Sequence, residues 1–183
     1  MKKIISLGFI SLCVVALSAC GAPEEKSEKA SDQKSSQVQK ESISEKKKTD
    51  DVTYSDKTIE NKDGKVKITS IEKGVDYNDK PAMIVHFELT NKKSEPENVQ
   101  IAYMSYIKAE QNTGDTTEDL QYAIMTENPY QDKTDMLQKD INPNATIEGV
   151  YMYELADETK PVTLKFLDGM FGKEVATEEI TVQ

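Results

Sequence analysis

The 183-residue chain has no arginine, no tryptophan, one histidine and two cysteines, and each scarcity excludes something. Without arginine, and with acids outnumbering lysines to a formal net charge of −10, the chain lacks the clustered cations that a polyanion demands, so nucleic acid is excluded as a partner. Thirteen lysines face twenty-three acids from residue 61 onward, so the acidity sits in the later, apolar-rich part. With no tryptophan there is no indole platform for stacking a sugar ring. A single histidine and no cysteine beyond residue 20 leave too few nitrogen and sulfur ligands for a zinc-type site. Cys13 and Cys20 both lie near the start, so no disulfide framework supports the later residues, and any domain there must be stable through its core.

Long apolar runs are also scarce, with one exception at the N-terminus. Met1-Lys2-Lys3 is followed by an apolar stretch from Ile4 to Leu17, too short to span a bilayer core and shaped like a secretory signal peptide. Leu17-Ser18-Ala19-Cys20 resembles the lipobox of bacterial lipoproteins. The resemblance implies cleavage after residue 19 and a diacylglyceryl and N-acyl (palmitate-type) lipid on Cys20, the only cofactor-like group expected. It further implies anchorage at the extracytoplasmic face of a cell membrane. Residues 1–19 are thus read as the signal peptide. Residues 20–57 are dominated by Glu, Lys, Ser, Asp and Gln, with too little apolar surface to offset the entropy of ordering, and read as a disordered tether. As a flexible coil such a tether spans about 30 Å.

From residue 58 to 183 the texture changes to short apolar runs punctuated by turn residues, the pattern of one all-β domain, an antiparallel β-sandwich. Lys65-Val66-Lys67-Ile68 alternates strictly. In Ala82–Thr90 the odd set Met83, Val85, Phe87 and Leu89 points to the core and His86 to the opposite face. Val99–Ala109 is apolar on both faces and predicts a central strand, which would put Tyr103 and Tyr106 on opposite sides. Gln111–Lys133 is a loop-rich excursion of ambiguous local structure. Thr134–Ile141 predicts a strand. Pro143-Asn144 predicts a turn before a strand with Tyr151, Tyr153 and Leu155 on one face, and Val162–Leu167 pairs with Lys173–Val182 across Asp168-Gly169.

The run Pro81–Asn91, an aliphatic strand ending in Thr-Asn, resembles the second-strand signature of small Ig-like domains of Gram-positive lipoproteins. Ile141–Tyr153, a turn proline followed by Glu-Gly and an aromatic strand, resembles their penultimate strand. Together these are similar to the domain-of-unknown-function family 5067, over roughly residues 58–183. The resemblance implies an Ig-like sandwich and carries no catalytic residue with it. Together with the lipobox, it implies anchorage at the outer, extracytoplasmic face of a Gram-positive cell membrane.

No catalytic set stands out. A Ser-His arrangement would need His86 with Ser70, Ser94 or Ser105, and no nucleophile elbow is present. Among hard cations calcium fits best: Asp115, Glu118 and Asp119 follow one turn and Asp76, Asn78 and Asp79 crowd another, neither with EF-hand spacing. Tyr122, Met125 and Tyr130 in the excursion form a candidate interaction surface, since exposed Tyr and Met bury much area at small entropic cost. The expected function is a non-catalytic binding module at the membrane, its partner an envelope or extracellular protein or a wall component. Two alternatives stand beside it: a calcium-assisted envelope hydrolase or its accessory, and a surface-protective lipoprotein acting in phage exclusion or host interaction.

Overall fold

The computed structural model describes residues 51–182. The signal peptide, the lipobox, Cys20 and residues 20–50 of the expected tether lie outside the described residues. The ordered sheet begins earlier than the expected boundary at residue 58. β1 (Thr53–Ser55) already pairs with β2 (Thr58–Glu60), because Val52, Tyr54 and Ile59 all find places in the core. The scattered apolar residues before 58 are enough for one short hairpin to bury.

Two antiparallel sheets face each other. The first has the order β1-β2-β3-β4-β9, with β3 Gly64–Val75, β4 Pro81–Asn91 and β9 Thr146–Glu154. The second has the order β11-β10-β6-β7, with β6 Ile107–Asn112, β7 Thr117–Asp119, β10 Val162–Leu167 and β11 Glu174–Ile180. In Ig lettering, β3, β4 and β9 are A, B and E, and β11, β10, β6 and β7 are G, F, C and C′, so the order is Ig-like. A minor pair, β5 (Glu97–Asn98) with β8 (Asp140–Ile141), closes one side.

The alternation expected of the strands places the core. Val66, Ile68, Met83, Val85, Phe87, Leu89, Tyr151 and Tyr153 from the first sheet meet Ile107, Ala109, Val162, Leu164 and Phe166 from the second. Tyr54 and Phe166 lie 4.7 Å apart across the sheets, and the Tyr54 hydroxyl donates to Glu178 Oε1 at 2.5 Å. Gly149 is where Phe87 needs room, since a Cβ there would fall 2.3 Å from its Cζ. Asn144 turns the chain into β9 at φ +61°, as the Pro143-Asn144 reading requires.

Two expected strands are helical instead. Val99–Tyr106 is a helix, α1, and the strand β6 starts only at Ile107. Asn98 caps it, its side chain accepting from the Ile101 amide at 3.1 Å. Val99, Ala102, Tyr103 and Tyr106 then share one buried face at helical spacing, so the two tyrosines lie on the same side. Ile101 and Met104 face outward. Thr134–Ile141 is not a strand either: α2 (Gln131–Thr134) and a 3₁₀ turn (Asp135–Gln138) occupy it, leaving only Asp140–Ile141 extended. Only Thr134 and Leu137 are buried along α2 and the 3₁₀ turn, three apart as on one side of a helix rather than alternate as on a strand.

The excursion contains β7 and an isolated bridge from Tyr122 to Tyr153, then folds back over the outer face of the first sheet. Ala123, Met125 and Tyr130 cover Ala82, Ile84, Val150 and Met152 in a second apolar cluster. The central strand β4 is therefore buried on both faces over that stretch.

Candidate functional site

An apolar-floored concavity forms where α1 gives way to β6. A strand continued backwards from Ile107 would have kept pairing with its neighbours. The helix instead swings away and leaves a cleft of about 340 Å³ between its outer face and residues 119–122. Gln100, Met104 and Lys108 line one wall, Asp119, Leu120, Gln121 and Tyr122 the other, and Ile107, Ala109, Tyr151 and Tyr153 the floor. Met104 and Tyr122 are both substantially exposed at its mouth.

An aromatic chain runs from the core to this mouth. Phe87 and Tyr103 have ring centroids 4.5 Å apart, Tyr103 stacks on Tyr151 at 4.8 Å with 19° between planes, and Tyr122 meets Tyr151 edge-on at 5.0 Å. The buried Tyr153 and Tyr103 hydroxyls are 3.4 Å apart. Burial pushes the phenols of Tyr103, Tyr151 and Tyr153 up from their ordinary range, and Tyr122 is raised by burial and then by Asp135. The cleft therefore presents neutral hydroxyls, aromatic faces and two glutamine amides. Its charges, Lys108 and Asp119, stand at the exposed rim. Such a lining can grip an extended, mixed-polarity segment by area and hydrogen bonds.

The candidate residues from the sequence divide over the molecule. Tyr122 stands in the cleft, while Met125 and Tyr130 turn away from it to cover the outer face of the first sheet. Asp115 lies in the β6–β7 turn and Glu118 and Asp119 in β7, where adjacent positions point to opposite sides of the sheet. Glu118 accepts from the Thr116 hydroxyl at 3.2 Å. In the other acidic turn, Asp76 Oδ1 accepts the Asn78 and Lys80 amides at 2.7 and 2.8 Å, and these bonds hold its carboxyl below the ordinary range against the opposing effect of burial. Among the described residues no group of three His, Cys, Asp or Glu is arranged to hold a metal ion.

His86 lies on the outer face, as its alternation requires, but its neighbour is Glu72 on the adjacent strand rather than Glu88. Its Nε2 is 2.7 Å from Glu72 Oε1, and its ring meets Tyr130 edge-on at 4.7 Å. The Tyr130 hydroxyl and then His86 hold the Glu72 carboxyl below its ordinary value. Of the three serines, Ser70 is the register partner of His86, Ser94 lies in the exposed β4–β5 turn, and the buried Ser105 donates to the Ala102 carbonyl at 2.7 Å. Among the described residues no hydrogen bond joins a serine to His86.

Sequence reasoning missed Gln100, Met104, Leu120 and Gln121 as cleft residues. The signal for the first two was present: Asn98 before Val99, Ala102, Tyr103 and Tyr106 is a cap followed by an i, i+3, i+4, i+7 spacing, and a helix there exposes Gln100 and Met104.

These features define a class: an antiparallel Ig-like β-sandwich with a tyrosine-floored lateral cleft. The sequence profile of the domain of unknown function DUF5067 matches residues 39–168, and the chain belongs to that family. A solved structure of a protein from Enterococcus faecalis is 40% identical, with a TM-score of 0.65 over 73% of this chain and 95% of that one. A proposed lipoprotein from Staphylococcus aureus is 20% identical, with a TM-score of 0.62 over 71% of this chain and 91% of that one, a likeness of fold. No curated protein matches the chain.

Proposed function

We propose that this protein is a membrane-anchored, extracytoplasmic lipoprotein whose sandwich domain is a non-catalytic binding module, and that the cleft between α1 and β7 receives an extended segment of an envelope protein. The observation that carries the reading is the cleft itself, open to solvent, floored by Tyr151 and Tyr153 and edged by Met104 and Tyr122. Tyr and Met are enriched where proteins meet, and the paired glutamines Gln100 and Gln121 supply donors and acceptors for a peptide backbone. The lipobox at Leu17–Cys20 supports the anchor, and the description of the Staphylococcus aureus neighbour as a proposed lipoprotein agrees with it. The engagement of His86 with Glu72 and Tyr130 supports a structural rather than a catalytic histidine.

The test is photo-crosslinking in the native cells from a benzoylphenylalanine placed at Tyr122, with the same group at Tyr77 as a remote control. One protein captured from position 122 and not from 77, and lost when Met104 is changed to Asp, is the expected result. Equal capture from both positions, or capture unaffected by Met104→Asp, would remove the cleft from the proposal. Turnover of an envelope substrate abolished by His86→Ala would replace the binding module with an enzyme.

A further inference from the structure

The hairpin joining β10 to β11 ends in Asp168-Gly169-Met170-Phe171-Gly172, and its two apolar residues are held out in solvent: Phe171 is 97% exposed and Met170 52%. The turn that presents them is closed rather than slack. The Asp168 amide donates to the Lys173 carbonyl and the Gly172 amide to the Gly169 carbonyl, both at 3.0 Å, with Gly169 at φ +83°. Single exposed apolar side chains are ordinary on a protein surface. An adjacent Met-Phe pair at the apex of a hydrogen-bonded turn is shaped to enter something.

Its position says what. The register of β1 with β2 sets Thr53 opposite Glu60, so the described chain begins beside the β2–β3 turn. In that turn Asn61 Nδ2 donates to Asp168 Oδ1 at 2.8 Å, at the base of the Met-Phe tip. The Lys62 ammonium in the same turn is raised above its ordinary value by its hydrogen bond to Asp63 and the charge of Asp63, with smaller contributions from the charges of Asp168 and Asp51. Chain start, turn and tip thus share one end of the sandwich. β3 runs from Gly64 at that end to Val75 at the other, where Tyr77 is exposed.

We propose that the Met170-Phe171 tip inserts into the outer leaflet of the membrane to which Cys20 tethers the chain, docking the domain with its N-terminal end toward the lipid. This rests on the lipid-anchor reading above. Thirty-one positions separate Cys20 from Asp51, and 31 residues in any conformation reach at most about 110 Å. Such a tether makes docking intramolecular, at an effective concentration on the order of millimolar, so a weak apolar insertion suffices. Met and Phe seat at the boundary of headgroups and acyl chains, and the exposed Lys173 stands beside them to meet lipid phosphates, while Lys62 and Lys92 at the same end are paired with Asp63 and Glu60. The net negative charge of the domain opposes binding without the tether, which keeps the docking reversible.

The absence of tryptophan makes the test direct, because Phe171→Trp and Tyr77→Trp each introduce a sole indole. The full lipidated protein carrying either change is reconstituted into phosphatidylcholine–phosphatidylglycerol vesicles, with and without chain-brominated lipid, and its flotation and emission are measured. The expected result is a blue shift and loss of most emission from Phe171→Trp in brominated vesicles, with Tyr77→Trp unchanged. Protein that floats while Phe171→Trp keeps its emission would overturn the docking and leave the anchor intact. Equal quenching at both positions would overturn the orientation. Failure of the lipidated protein to float, or undiminished flotation of Cys20→Ala, would overturn the anchor and this proposal with it.

Discussion

Gln111 shows how one polar side chain can hold a junction of this sandwich. It points inward from β6 and is fully buried, opposite Val162. Its Nε2 donates to the carbonyls of Asp157 and Lys160 at 2.9 and 3.0 Å, and its Oε1 accepts the amides of Ala156 and Asp157 at 2.8 and 3.2 Å. The β9–β10 crossover, which carries the chain between sheets, is thus stapled to the core by every polar atom of one amide. Gln111→Leu keeps the volume and strands those backbone groups. It is expected to cost about 2–4 kcal/mol, since each unsatisfied buried group costs roughly 1–3 and loop water recovers part. Urea denaturation checks it, and a change below about 0.5 kcal/mol, the scale of an ordinary surface substitution, would show that the staple contributes nothing.

Among the elements, α1 decides most. Its start is fixed by Asn98, which is used twice: Oδ1 caps the Ile101 amide and Nδ2 reaches the Leu137 carbonyl at 3.3 Å, joining the helix to the 3₁₀ turn. Asn98→Ala is expected to destabilise the domain by about 1–2 kcal/mol, a usual cap loss. It should also raise amide exchange in residues 99–106 more than in β3 or β4, because the helix carries one wall of the cleft and few other polar ties. Uniform protection across helix and sheet would show that packing of Tyr103 and Tyr106 alone sets the helix. The same logic explains the Thr134–Ile141 segment: α2 and the 3₁₀ turn sit where an Ig-type D strand would lie, and their few buried residues need only a short helical staple.

At the scale of the molecule, stability is bounded by titration on both sides. Glu72, Glu60 and Glu148 have folded-state values held below the ordinary 4.5, Glu72 by Tyr130 and His86, Glu60 by Lys92, Glu148 by Lys133. A depressed carboxylate contributes stability above its unfolded value, and this is lost as pH falls through the folded one. Stability is therefore expected to decline below about pH 4.5, with Glu72→Gln flattening the decline. The tyrosines act in the opposite direction. Tyr103 and Tyr153 are raised above 10.0 chiefly by burial, so above that pH the unfolded chain releases protons that the folded one retains. Each contributes a loss of about 1.4 kcal/mol per pH unit. Thermal melts across pH, with tyrosinate absorbance as a second signal, check both limbs. Tyrosinate appearing group by group before unfolding would contradict the alkaline one.

What the sequence determined by itself is whatever depends on composition and on two-residue alternation. The antiparallel sandwich, the inward faces of β3, β4, β9 and β10, and the turn at Asn144 all follow from local chemistry, and the structure agrees on each. Only the tertiary structure decided where non-local burial outweighed the local pattern. Val99–Tyr106 is apolar enough for either a strand or a helix, and the sandwich takes the helix because four side chains then reach the core at once. The cleft, the folding of Met125 and Tyr130 over the outer face, the pairing of His86 with Glu72, and the bond that ties the β10–β11 hairpin to the β2–β3 turn each join residues far apart in sequence. Periodicity along one segment carries no information about which other segment will cover it, and that is why the strands of the two sheets were legible while of the cleft only Tyr122 was picked out.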